Sequence, residues 1–123
     1  GAASNSGNSG AASNSGYRGA ASNSGNSGAA SNSGDSGAAS NSGDRGAAST
    51  TGSYSTAETS IENSFACALG YKSKAKGALN SWLVLTEWEE DIIKSVKSVK
   101  VDGEKILPGK WYQLKDGKPT IVE

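Results

Sequence analysis

Aligning Gly1, Gly10, Gly19, Gly28, Gly37 and Gly46 brings six consecutive nine-residue units into register, and a chain so strictly periodic has few ways to fold. Five units read Gly-Ala-Ala-Ser-Asn-Ser-Gly followed by a variable pair: Asn8-Ser9, Tyr17-Arg18, Asn26-Ser27, Asp35-Ser36 and Asp44-Arg45. The sixth degenerates to Gly46-Ala-Ala-Ser-Thr-Thr-Gly-Ser-Tyr54. By composition alone such a tract is a flexible linker, because so few apolar groups cannot offset roughly 1–2 kcal/mol of backbone entropy per residue. Linkers tolerate drift in spacing, however, whereas a fixed period marks a solenoid in which each unit covers its neighbour. The register therefore predicts order.

If each unit supplies one short strand and one turn, side chains alternate between the two faces of the strand. Gly1, Ala3 and Asn5 then share one face, and Ala2, Ser4 and Ser6 the other. A thin solenoid interior admits only small residues, so the first face is expected inside. The inward stack comprises Ala3, Asn5, Ala12, Asn14, Ala21, Asn23, Ala30, Asn32, Ala39 and Asn41. Stacked amides can bond to one another or to turn backbone, which must carry stability that buried alanine methyls supply only weakly. Gly7 and its equivalents are expected at corners of positive φ.

The rest of the chain has a different composition. Val, Leu, Ile, Phe and Trp are absent before Ile61 and abundant after it. The first sixty residues therefore contain no transmembrane helix or secretory signal core. The formal net charge is zero and no basic cluster is present, which removes the electrostatic footprint of nucleic-acid binding. Histidine is absent and Cys67 is the single cysteine, so the chain offers no internal disulfide, no ordinary zinc site and no histidine acid–base chemistry.

The C-terminal part reads as strands. From Trp82 to Trp88 both faces are largely apolar, with Trp82, Val84, Thr86 and Trp88 on one and Leu83 and Leu85 on the other, as expected of a central strand. Glu89-Glu90-Asp91 is a polar turn, and 92–101 reads as a second strand: the spacing of Ile93, Val96 and Val99 fits either a bulged strand or a short helix, and the dominance of β-branched residues favours the strand. Asp102-Gly103, Pro108-Gly109 and Asp116-Gly117 are turn signals, the first read as a hairpin. The predicted fold is all-β: a β-solenoid (parallel β-roll or β-helix) over 1–77, followed by a small antiparallel β cap over 78–123 built as a meander that covers the open end.

The segment Ser64-Phe65-Ala66-Cys67-Ala68-Leu69-Gly70-Tyr71-Lys72-Ser73-Lys74-Ala75-Lys76-Gly77 resembles the head repeats of trimeric autotransporter adhesins, which are parallel β-rolls. The resemblance implies Ser64, Ala66, Ser73 and Ala75 inward, Phe65 and Cys67 outward, and three chains packed together. The chain as a whole is similar to uncharacterised nonapeptide-repeat proteins frequent in phages and prophages of gut anaerobes. Those arrays end in segments like 74–88 and tails like 99–106 and 111–114. That likeness implies a further N-terminal domain, and with no methionine and a start on a repeat boundary the chain is expected to be a fragment, a processed form or an engineered piece. It implies no activity.

Chemical features are few. Glu89, Glu90 and Asp91 are carboxylates of the kind Ca²⁺ prefers, but neighbours on a turn point apart. The calcium-binding nonapeptide pattern needs an aspartate and an apolar anchor that this repeat lacks. Cys67, with no histidine partner, reads as a small packed residue. Lys72, Lys74 and Lys76 alternate on one strand face and read as a solvated, aggregation-resistant surface. No metal, cofactor or catalytic residue is assigned, and the titratable groups of the array are too sparse for an active site.

The expected function is a non-catalytic structural or binding element, a phage-related or surface fibre segment at a virion or cell surface. Variable residues Tyr17, Arg18, Asp35, Asp44 and Arg45 would be displayed along one edge to a protein or glycan receptor. Self-association is expected, as a homotrimer through Phe65, Leu69, Tyr71, Leu79 and Trp82 clustered at the junction, or as a filament. The alternatives are an ice-binding solenoid, which would favour threonine on a flat face, and a cytoplasmic phage accessory protein acting on a host factor.

Overall fold

The computed structural model describes residues 2–122, which form strands, turns and loops with no helix. The strands are β1 (Ala2–Asn5), β2 (Ala11–Asn14), β3 (Ala20–Asn23), β4 (Ala29–Asn32), β5 (Ala38–Asn41), β6 (Ala47–Thr50), β7 (Thr56–Thr59), β8 (Phe65–Ala68), β9 (Lys74–Lys76), β10 (Trp82–Glu89), β11 (Ile92–Lys100), β12 (Trp111–Lys115) and β13 (Lys118–Val122). One sheet runs β1-β3-β5-β7-β9-β12-β13 and the other β11-β10-β8-β6-β4-β2. Successive units thus alternate between the sheets, and two units make one coil. Ala2 pairs in parallel with Ala20, Asn5 with Asn23 and Ala11 with Ala29, a constant offset of two units. The chain is a β-solenoid of about 5 turns.

Between the sheets lie two kinds of row. Ala21, Ala30 and Ala39 are each 1% exposed, and Asn23, Asn32 and Asn41 each 2%. Ala12 is buried, while Ala3, Asn5 and Asn14, nearer the first coil, are half-buried. Asn23 uses its whole amide. Its Nδ2 donates to the Gly25 carbonyl at 3.0 Å and to Asn41 Oδ1 at 2.7 Å. Its Oδ1 accepts from the Gly25 N–H at 3.2 Å and from Asn5 Nδ2 at 2.7 Å. Two donors and two acceptors are the full capacity of the group, so burial leaves nothing unpaired. On the other side, Asn14 donates to Asn32 at 3.0 Å and Asn32 to Thr50 Oγ1 at 3.0 Å.

The turns differ from the expectation for Gly7. Among the described residues positive φ occurs at glycine only in Gly103, Gly109 and Gly117, while in the array it falls on the ninth position: Ser9, Arg18, Ser27, Ser36, Arg45 and Tyr54, with φ between 55° and 58°. The seventh position is glycine for a different reason. A Cβ on Gly25 would collide with the carbonyl oxygen of Gly7 on the adjacent coil. The turns stack that tightly because the ninth N–H donates to the eighth carbonyl one coil on, as from Ser27 to Asp44 at 2.8 Å and from Tyr54 to Tyr71 at 2.8 Å. This ladder holds residues other than glycine in a left-handed conformation that costs each roughly 1–2 kcal/mol.

The tail is not one meander. β10 adds in parallel to β8 and then pairs antiparallel with β11, extending one sheet, whereas β12 and β13 form a hairpin that meets β9 and extends the other. Asp102-Gly103 therefore makes no hairpin. Asp102 Oδ1 collects the N–H groups of Glu104, Lys105 and Ile106 at 2.9, 3.0 and 3.1 Å, curling the chain so that it crosses between sheets. Asp116-Gly117 is a two-residue hairpin turn, with φ of 52° and 76° as a type I′ turn requires. The β10–β11 register slips between Glu87 and Trp88, so Lys94 is the extra residue of a bulge that brings Ile93 and Val96 to one face, while Val99, opposite Leu83, faces the other way.

Leu83, Leu85 and Val101 are fully buried and join Ile106, Tyr112 and Leu114 in one cluster with Ala57, Ala66, Ala68 and Ala75. Array and tail therefore share a core across the expected boundary at residue 77. The Tyr112 hydroxyl accepts the Leu107 N–H at 2.8 Å, which satisfies the one polar atom that this ring buries.

Candidate functional site

Because strands alternate between sheets, the variable turns fall on two opposite edges rather than one. Turns after odd-numbered strands carry Asn8-Ser9, Asn26-Ser27 and Asp44-Arg45, and those after even-numbered strands carry Tyr17-Arg18, Asp35-Ser36 and Ser53-Tyr54. Tyr17, Arg18 and Asp35 thus share the second edge, while Asp44 and Arg45 occupy the first. The outward rows between the edges hold only alanine and serine from Ala2 to Ser49.

The second edge gathers aromatic residues as it nears the tail. Tyr54 is 61% exposed, and its ring stands edge-on to Tyr71, with centroids 5.7 Å apart and planes at 83°. Trp88 follows on the next rung, its Nε1 donating to the Leu69 carbonyl at 3.0 Å. A cleft of about 490 Å³ lies there, lined by Thr51, Ser53, Tyr71, Trp88, Glu90 and Asp91. Glu87 has a structural task nearby. It accepts the N–H groups of Asp116 and Gly117 at 2.7 and 2.9 Å and the Ser95 hydroxyl at 3.0 Å, tying the β12–β13 turn to β10 and β11. These backbone donors hold its carboxyl below the ordinary glutamate range.

Phe65, Leu69, Tyr71, Leu79 and Trp82 do not form one cluster. Phe65 and Trp82 are register partners on the outer face of the β8–β10 sheet, and Leu79 precedes them at the first edge. Leu69 and Tyr71 lie past the opposite end of β8, on the second edge, because the strand runs from Phe65 to Ala68. Ser64, Ala66, Ser73 and Ala75 point inward, each no more than 3% exposed. Phe65 faces outward and Cys67 is half-buried on the same face, where burial raises its thiol pKa and keeps the unreactive protonated form.

The lysine row is already engaged. Lys76 lies 3.2 Å from Glu58 and 4.5 Å above the Trp111 ring, with Lys74 5.1 Å from the same ring. Glu90 and Asp91 make the turn between β10 and β11, and among the described residues no three Asp, Glu, His or Cys side chains converge as a metal would require. Also among the described residues, no helix is long and apolar enough to cross a membrane. Thr50 and Thr59 are buried and Thr56 is half-buried, while Thr51 is exposed past the end of β6, so these four threonines do not share one exposed face.

Trp88, Glu90 and Asp91 were not foreseen as neighbours of Tyr71. The signal was an aromatic recurrence at Tyr54, Tyr71 and Trp88 with a spacing of 17, one residue short of a coil. No family model, curated protein or solved structure matches the chain.

Proposed function

We propose that the chain is a non-catalytic structural and binding element, a rigid repeat segment of a phage-related or surface fibre that carries recognition chemistry on its turn edges. One observation carries the reading: in the first five units, chemical variety is confined to the eighth and ninth positions, while the outward faces from Ala2 to Ser49 are restricted to alanine and serine. Uniform faces and variable edges suit a scaffold. Two carboxylates also favour this reading over catalysis, since Glu87 and Asp102 are each consumed by backbone donors.

Self-association belongs to the same proposal. Phe65, Trp82 and Val96 are 48%, 39% and 58% exposed on the outer face of one sheet, an apolar strip that a parallel trimer would cover. A scaffold whose coils interact with nearest neighbours tolerates loss of one coil. Excision of 19–36, two whole units, is expected to leave the circular dichroism spectrum and cooperative melting in place and to shorten the particle by about 4.8 Å in small-angle scattering. Collapse of the fold in that deletion would overturn the scaffold reading.

A further inference from the structure

We infer that the cleft between Tyr71 and Trp88 binds a neutral carbohydrate chain, a proposal that rests on the scaffold reading and names the ligand class of its aromatic edge. The rings are held before any ligand arrives. Trp88 is fixed by its indole bond to the Leu69 carbonyl, and Tyr71 by its edge contact with Tyr54. Ring faces fixed on a rigid stack cover the C–H face of a sugar without the entropy cost of ordering loops.

The polar rim is free to bond. The side chains of Glu90, Asp91, Thr51 and Ser53 have no hydrogen bond or ion pair within the described residues, in contrast to Glu87 on the other side of Trp88. Carboxylates accept from sugar hydroxyls, while the Thr51 and Ser53 hydroxyls both donate and accept. Apolar ring faces with a few convergent polar groups are the make-up of a small-ligand site.

Charge selects among ligands. Glu90 and Asp91 at the rim repel an anion. Lys72 holds its ammonium 5.9 Å from the Tyr71 ring centroid and so occupies the cation–π position of that ring, which offsets part of the pull of the two carboxylates on a cation. A neutral polyol needs no charged partner. Tyr71 and Trp88 lie on successive rungs of an edge that repeats every 4.8 Å or so, about the length of one sugar unit, which lets consecutive residues of a chain meet the two rings in turn.

The test is a titration of the full chain, followed through the Trp88 indole N–H resonance, with cellotetraose, mannotetraose and chitotetraose, and separately with tetramethylammonium chloride and a heparin tetrasaccharide. At least one neutral tetrasaccharide is expected to shift the Trp88 signal saturably and leave Trp111 unmoved. Tyr71→Ala should weaken that binding at least about tenfold and Tyr71→Phe much less, with melting unchanged in both. Asp91→Asn, at an exposed turn, should weaken it without disturbing the rings. Absence of any neutral-sugar response at millimolar concentration, or a response only to the cation or the heparin fragment, overturns the proposal. Such a failure leaves the scaffold reading standing if the coil deletion still folds.

Discussion

A Cβ on Gly37 would lie 2.5 Å from Oδ1 of Asn32, five residues earlier, so the buried amide occupies the space that any residue larger than glycine would need. The chain trades volume between these two positions. Where asparagine gives way to Thr50 and Thr59, the glycine becomes Ser55 and Ser64, and Ala68 is followed by Ser73. Ser55 and Thr50 both accept from Asn32 Nδ2, at 3.3 and 3.0 Å. Thr59 and Ser64 are hydrogen-bonded to each other. Two small hydroxyls thus replace one amide and an empty site.

The trade predicts non-additivity. Gly37→Ala alone should destabilise by about 1–3 kcal/mol through overpacking against the amide. Asn32→Thr alone removes the Asn32 bond to the Gly34 carbonyl and should cost about 1 kcal/mol. Asn32→Thr combined with Gly37→Ser reproduces the Thr50–Ser55 pair and should recover most of the stability. Urea unfolding of the three variants measures the coupling, and simple addition of the single effects would refute the volume argument.

The left-handed ninth position predicts stabilisation by glycine. Ser27 has φ of 57° and gives its N–H to Asp44 at 2.8 Å, a bond that glycine keeps. Relief of roughly 1–2 kcal/mol of steric cost exceeds the extra 0.5–1 kcal/mol or so of unfolded-state entropy that glycine brings. Ser27→Gly should therefore gain about 0.5 kcal/mol, read as a higher urea midpoint at unchanged slope.

The repeat array was legible in the sequence because its constraints are local and recur: one alternation assigns Ala21 and Asn23 to the inside in every unit. What the sequence did not disclose depended on pairing across the fold. The number of units per coil decides whether Asp44 lies beside Asp35 or across from it, and no single unit encodes that number. The role of the glycines was misread for a similar reason, since the obstacle to a side chain at Gly25 is the carbonyl of Gly7, two units away. The tail strands were visible from composition. Their distribution over two sheets was not, because Asp102, read as a hairpin residue, spends its carboxylate on three successive N–H groups instead.

Acid should loosen the tail through Glu87. Its carboxyl is depressed by the Gly117 and Asp116 N–H groups, so the unfolded state takes up the proton more readily than the folded one. The stabilisation is complete above the ordinary glutamate value of 4.5 and is lost as pH falls below it towards the folded pKa. Stability measured by urea should therefore drop through that window. Glu87→Gln should be less stable than the parent at neutral pH and show a shallower acid slope, and an identical slope in both proteins would remove Glu87 from the account.

The proposed self-association makes the most exposed prediction, because it concerns surface that a monomer leaves uncovered. Phe65 and Trp82 sit opposite each other on neighbouring strands, and Val96 pairs with Thr86 on the same face, so the apolar strip crosses β8, β10 and β11. The β11 edge is guarded: Lys94 forms a bulge there, and Lys97 and Lys100 follow, devices that resist edge-to-edge growth into a filament. A closed trimer through the face is therefore expected over an open assembly through the edge. Light scattering should give three times the chain mass, and Phe65→Glu should shift it to one with the circular dichroism spectrum intact. A concentration-independent monomer in the parent protein would reject both assemblies, and a trimer that survives Phe65→Glu would move the interface off this face.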